Sequence, residues 1–306
     1  MKRQNSNFVE YVILGVLGAL VALTLVVPQL LRNERPFQLL SVSVLLRDTD
    51  SSGWAVARQG MEQAADELGA ELRFLTLAAQ NDSREQEELL YRELEGGADA
   101  LVVVPADPGR LYAALLQRQE ELCPVVTMES PMDGSAGLAA PDNRQLGRQL
   151  ALALLEDWSG GEVLLLDWAG SCTGVTDRLE AARETLEEAG VPVRRTAALS
   201  GRTGDWVMAF EPAATLQAAQ WKEEEGLRFA LYGVGVSTEI TVRLERGTIQ
   251  ALAAWSDYAA GYLAVRRAVE QSQGERRSLE PLPFSIVRGE DIYAPENQKL
   301  LFPVTS

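Results

Sequence analysis

Residues 38–46 read QLLSVSVLL and residues 100–104 read ALVVV. The first run predicts a strand at 39–46. The second is apolar at every position, which predicts a strand buried on both faces. Between them, residues 54–68 carry Ala57, Met61, Ala64, Ala65 and Leu68 at helical spacing. Residues 72–77 read as a second strand and 83–94 as a second helix, with Ser83 as its expected cap. Beyond ALVVV, a helix is expected at 111–122 and a strand at 124–128. Strands alternating with helices specify a parallel sheet covered on both faces. Ligands of such sheets bind beyond the carboxyl ends of the strands.

The alternation continues. Asp142 is the expected cap of a helix at 144–155, whose Leu146, Leu150 and Leu154 share one face. Strands are expected at 162–166, 191–198, 205–210, 228–232, 248–254 and 283–287. Helices are expected at 176–189 (ended by Gly190), 213–222, 238–246 (capped by Ser237) and 258–270 (capped by Asp257). One junction breaks the pattern. The strands ending near Ala198 and starting near Asp205 are joined by a few residues, too few for a helical crossover of a dozen or more. Either those strands pair antiparallel or one of them is not a strand.

The 306 residues suffice for an anchor and two lobes. The net charge of −16 argues against nucleic acid and anionic headgroups as partners. Histidine is absent, which removes the commonest metal ligand and general base. Cys123 and Cys172 lack C-x-x-C spacing and are expected to be free thiols. Residues 12–31 hold no charged side chain over the ~20 residues that cross a bilayer as a helix. An uncleaved N-terminal anchor is expected there, because the run exceeds a usual signal-peptide core and no A-x-A site follows it. Lys2 and Arg3 precede it and Arg32 and Arg35 follow it, so charge alone leaves its orientation open.

Several local signatures resemble the type I periplasmic binding proteins, the ribose-binding protein group in particular. They are Gly53-Trp54 with Gly60-Met61-Glu62, Gln80-Asn81-Asp82, and Gly97 to Leu101 leading to Pro105-Ala106-Asp107. Cys123 to Thr127, Pro141-Asp142-Asn143, and Asp257-Tyr258 with Gly261-Tyr262 complete the series, and the likeness covers roughly residues 38–290. It implies a two-lobed α/β fold, each lobe a mostly parallel sheet flanked by helices, here preceded by one transmembrane helix. Residues 1–36 would be a cytoplasmic tip and anchor. Residues 37–141 with 256–281 would form lobe one, and 142–255 with 282–306 lobe two. The resemblance further implies a domain outside the cytoplasm, a small polar ligand such as a sugar, and an ABC permease or sensor kinase as partner. A remodelled protein-interaction module with a vestigial cleft is the alternative.

The chain departs from that family at its ligand positions. Glu129-Ser130 stands where the family commonly has Asp-Arg. Thr176 stands at the place of a ligand-binding arginine, with Arg178 close by. Glu211-Pro212 replaces an Asn-Asp pair, Gly235 an aspartate and Ala254 a glutamine. The ligand-binding candidates are therefore Asp48, Trp54, Glu129, Asp142, Trp168, Thr176, Glu211 and Trp255, with Asp50, Asp167, Ser237 and Asp257 also at strand ends. Indole faces stack on sugar rings, and carboxylates accept hydroxyls. Each candidate has a structural counterpart: a packed interface tryptophan, an ion pair or a helix cap. Indoles and carboxylates together favour a neutral polyol or a cation, though Arg47, Arg178 and Arg202 could also line the cleft. A paired Asp48 and Glu129 could in principle cleave a glycoside. No G-x-S-x-G, Walker loop or metal-ligand cluster accompanies them, so no enzyme, cofactor or metal is expected.

Overall fold

The computed structural model describes residues 16–17, 39–49, 52–118, 123–168, 170–199, 206–275 and 277–301. The first sheet is built by β1 (Leu40–Leu45), α1 (Ala55–Leu68), β2 (Ala70–Leu75), α2 (Ser83–Glu95), β3 (Ala100–Val103), α3 (Pro108–Gln117), β4 (Val125–Met128) and β5 (Gly137–Ala139). Its five strands are parallel and lie in the order β2-β1-β3-β4-β5. The period of two along each strand sorts the core. Val42 and Val44 face Ala57 and Met61 of α1. Leu45, Leu101 and Val103 face Leu90 and Leu94 of α2 and Leu111 of α3. The order reverses between β1 and β3, so a crevice opens above their carboxyl ends.

The chain then builds α4 (Asn143–Asp157), β6 (Val163–Leu166), α5 (Thr173–Glu188), β7 (Val193–Thr196), β8 (Trp206–Ala209), α6 (Pro212–Glu224), β9 (Ala230–Val234), α7 (Thr238–Glu245) and β10 (Ala251–Trp255). It returns through α8 (Asp257–Ser272), which packs on α1 and the first sheet, and ends in β11 (Phe284–Arg288) and α9 (Pro295–Leu301). The second sheet has the order β11-β10-β9-β8-β6-β7, parallel except for β11, which runs antiparallel to β10. The chain thus passes between the sheets three times. Two of the passing segments touch through a parallel bridge between Pro141 and Leu282.

Glycines permit the tightest helix contacts. A Cβ at Gly60 would collide with the Tyr258 carbonyl, and one at Gly261 with that of Ala57, so α1 and α8 meet backbone to backbone. Gly147 meets Arg178 between α4 and α5 in the same way.

Several expectations are corrected. The second helix is capped by Asp82, not Ser83: Asp82 is extended and its carboxylate accepts from the N–H groups of Arg84 and Glu85. α8 is capped by Ser256, not Asp257, because the Ser256 hydroxyl accepts from the Ala259 N–H. Asp142 and Ser237 do cap, through the N–H groups of Gln145 and Ile240. The β7–β8 junction satisfies neither expected solution. Both are strands and both lie parallel to β6, on opposite sides of it, so they never pair. The nine residues 197–205 can reach about 30 Å when extended. That reach exceeds two strand spacings, about 10 Å. Residues 200–205 lie outside the described residues, as do Asp50 and Arg202. So does the expected span at 12–31, apart from Val16 and Leu17, which are helical. Among the described residues no helix is long and apolar enough to cross a membrane.

Candidate functional site

Four strands aim their carboxyl ends at one place: β1 and β4 from the first sheet, β8 and β10 from the second. A cavity of ≈ 300 Å³ lies there, walled by residues that directly follow those strands and by the start of α8. The loop after β1 supplies Arg47 and Asp48, and a 3-10 turn at Ser52–Trp54 brings in Trp54. The Trp54 indole N–H donates to Asp48 Oδ2 at 2.6 Å, and Gln80 Nε2 donates to Asp48 Oδ1 at 3.1 Å. The ring is thereby fixed at the mouth with its edge engaged.

Arg47 ties the two sheets together. Its Nε donates to Glu129 Oε2 at 2.8 Å, its Nη2 to Glu211 Oε2 at 2.8 Å, and its Nη1 to Asn81 Oδ1 at 2.9 Å. Arg47, Glu129 and Glu211 are all buried. Glu129 follows β4 and Glu211 follows β8, so one guanidinium spans both lobes. Burial works against the Arg47 charge, and Glu129, Glu211 and Asp48 raise its pKa well above the usual value in spite of it. The two glutamates respond in opposite directions. Burial pushes the Glu129 carboxyl up, yet Arg47 and Arg178 outweigh it and hold the group below the usual range. Glu211 rises, because burial and the Glu129 charge exceed its share of Arg47. Glu129 accepts from two Arg47 nitrogens and Glu211 from one, which accounts for the asymmetry.

Glu129 adopts φ 61°, a left-handed backbone unusual for a residue with a Cβ. Its carbonyl accepts from Asn143 Nδ2 at 2.8 Å, and Gly174 abuts it so closely that no side chain would fit there. Cys172, two residues earlier, donates its thiol to the Pro105 carbonyl at 3.3 Å. The start of α5 is therefore docked onto the strand ends of lobe one.

Arg178 is wholly buried. Its Nε donates to Asn143 Oδ1 at 2.8 Å and its Nη1 to the Phe210 carbonyl at 3.0 Å, while its guanidinium carbon lies 4.9 Å from the centre of the Trp255 ring. Nη2 has no hydrogen-bond partner among the described residues. Burial lowers the Arg178 pKa, with Glu129 opposing. Asp257, at the first position of α8, is pushed up to about 7 by burial and then by the Glu129 charge, with Arg178 and the Trp255 indole opposing.

Of the residues singled out in the sequence, Asp48, Trp54, Glu129, Glu211, Trp255 and Asp257 line this cavity. Asp142, Trp168 and Thr176 do not. The Asp142 carboxylate is occupied as a helix cap. Trp168 lies on the far side of β6, with its Nε1–H on the Ala197 carbonyl at 2.8 Å. The Thr176 hydroxyl turns back to the Cys172 carbonyl at 3.1 Å. Asp167 is paired with Arg195 at 2.6 Å. Gln80 and Met128 line the cavity without having been singled out as site residues. For Gln80 the available signal was its place in the Gln80-Asn81-Asp82 signature.

Two α/β lobes linked by three chain passages, with a polar and aromatic cavity between their strand ends, define a cleft-type binding protein. The chain belongs to the periplasmic binding protein domain family, whose model matches residues 42–276. Solved structures agree with that fold. An ABC transporter solute-binding protein from Agrobacterium vitis, described with bound D-fucose, is 17% identical, with a TM-score of 0.75 over 86% of this chain and 100% of that one. The periplasmic component of an ABC-type sugar transport system from Hahella chejuensis is 21% identical, with a TM-score of 0.73 over 81% and 99%. A chain of the XylFII-LytSN complex is 14% identical, with a TM-score of 0.73 over 83% and 99%. No curated protein shows a significant match.

Proposed function

We propose that this chain is a membrane-anchored extracytoplasmic solute-binding protein that takes a small polar, sugar-like ligand between its lobes. The cavity carries the proposal. It sits at the strand ends of both sheets, is of ligand size, and combines Trp54 and Trp255 with convergent polar groups. Lobe one would comprise residues 37–141 and 256–281, lobe two residues 142–255 and 282–306. Hinge closure around the ligand would be relayed either to an ABC permease or to a partner sensor. The sugars described in related folds, D-fucose and D-arabinose among them, support the ligand class. The XylFII-LytSN complex supports partnership with a second protein. The uncharged run at 12–31 supports anchoring, with the tip inside and the lobes outside the cytoplasm. No enzymatic step is assigned.

Thermal unfolding of the purified chain against sugars, polyols, amines and nucleosides tests this reading. A ligand at about 100 times its Kd adds ~2.7 kcal/mol and raises the melting temperature. One observation favours the second reading, a protein-interaction module with a vestigial cleft. Arg47 already joins Glu129 and Glu211 across the lobes, so the protein's own side chains fill part of the ligand's role. A flat response across the whole panel would transfer the assignment to that module.

A further inference from the structure

We infer that the cavity selects a hydroxylated amine, an amino sugar in chemical class, over the neutral sugar of the same shape. The inference rests on the ligand-binding reading above. Four carboxylates line the cavity, Asp48, Glu129, Glu211 and Asp257, against two guanidinium groups, Arg47 and Arg178. Arg47 serves both glutamates, and Arg178 stands 3.7 Å from Glu129. Asp48 and Asp257 have no ion-pair partner among the described residues; Asp48 receives only the neutral donors Trp54 and Gln80. A neutral ligand that closes the cleft would strip water from both carboxylates and return no charge. An ammonium group returns it.

The opposite need is met at Arg178. Arg178 borders the same cavity, and its buried Nη2 has no acceptor among the described residues. A ligand oxygen would complete it, and a hydroxyl supplies that oxygen without adding negative charge. A zwitterion would also reach Arg178, but it brings no net positive charge to a wall with two carboxylates in excess. The ring of Trp54, held by Asp48, adds an aromatic face that attracts cations. Burial and the Glu129 charge raise the Asp257 pKa by more than Arg178 and the Trp255 indole offset, so a further cation beside it is favoured.

Titration calorimetry on the full chain in detergent at pH 7, where the amine is mostly protonated, compares D-glucosamine and D-galactosamine with D-glucose, D-galactose and N-acetyl-D-glucosamine. The expected result is that an amino sugar binds at least tenfold more tightly than both its parent and its N-acetyl form. Asp257→Asn is then expected to shrink that preference to less than threefold. The comparison on the unmutated chain stands by itself should the variant fail to fold. A neutral or acetylated sugar that binds as tightly as the amine overturns the inference and leaves the binding reading intact. A preference unchanged in folded Asp257→Asn also overturns the assignment to this carboxylate. No heat from any of the five sugars defeats both the inference and the sugar-like reading it rests on.

Discussion

Replacing Asp257 by asparagine should make the protein more stable, and more so at high pH. In the unfolded chain this carboxyl titrates near 4; in the folded cavity it is pushed up to about 7. A shift of about 3 units, at ~1.4 kcal/mol each, amounts to ~4 kcal/mol of destabilisation when the group is ionised in both states. The folded state binds the extra proton, so stability is full below about pH 4, declines as pH rises, and levels off above about pH 7. Asparagine keeps the shape and removes the charge. It also gives up the favourable placement of an anion at a helix start, worth about 0.3–1 kcal/mol. The net gain near pH 8.5 is then about 3 kcal/mol. Near pH 5.5 about half of the penalty is already relieved, so the gain is smaller by ~2 kcal/mol. Urea unfolding of both proteins at the two pH values, followed by tryptophan fluorescence, measures this directly. In a chain of this length the gain at high pH corresponds to roughly 2 °C of melting temperature per kcal/mol. A variant no more stable than the parent near pH 8.5, or a gain equal at both pH values, would refute the account of Asp257 as a carboxyl whose burial and Glu129 neighbour outweigh Arg178.

Three further outcomes follow from the packing. Arg47→Met leaves Glu211 buried and unpaired and Glu129 with Arg178 alone, and should cost about 3–5 kcal/mol in urea unfolding at neutral pH. Adding Glu129→Gln and Glu211→Gln to it should recover most of the loss, and a single variant within 1 kcal/mol of the parent would argue against the interlobe pair. Gly60→Ala should destabilise by about 1–3 kcal/mol, because its Cβ meets the Tyr258 carbonyl rather than a movable side chain. Cys172 is buried and its thiol is pushed up to about 12 by burial, so a thiol reagent at pH 8 should label it only at the rate of local opening. Labelling as fast as that of the half-buried Cys123 would contradict the docking of α5 on Pro105.

Much of the fold was legible because its signals are local. The apolar run at Ala100–Val103 and the 3.6-residue spacing at Ala55–Leu68 arise from neighbours within one or two turns. Caps were read correctly at Asp142 and Ser237 and one position late at Asp82-Ser83 and Ser256-Asp257, and in all four the cap is the first of two adjacent cap-type residues. β5 went unseen because three residues carry no period, and α9 because seven residues hold too short a stripe. The β7–β8 junction was misread because strand order is not written in chain order.

The sequence by itself determined the alternation of strands and helices, the placement of polar and aromatic residues at strand ends, and the net negative charge. Those depend on composition and short-range periodicity. Tertiary structure alone decided which of those residues meet. Arg47 finds Glu129 across 82 positions of sequence and Glu211 across 164, while Trp168 and Thr176, equally near strand ends, turn elsewhere. Strand order and the docking of α5 select those partners, and the burial they impose sets the pKa of Asp257. A side chain's neighbours and its access to water are properties of the assembled fold, so no local reading of the chain contains them.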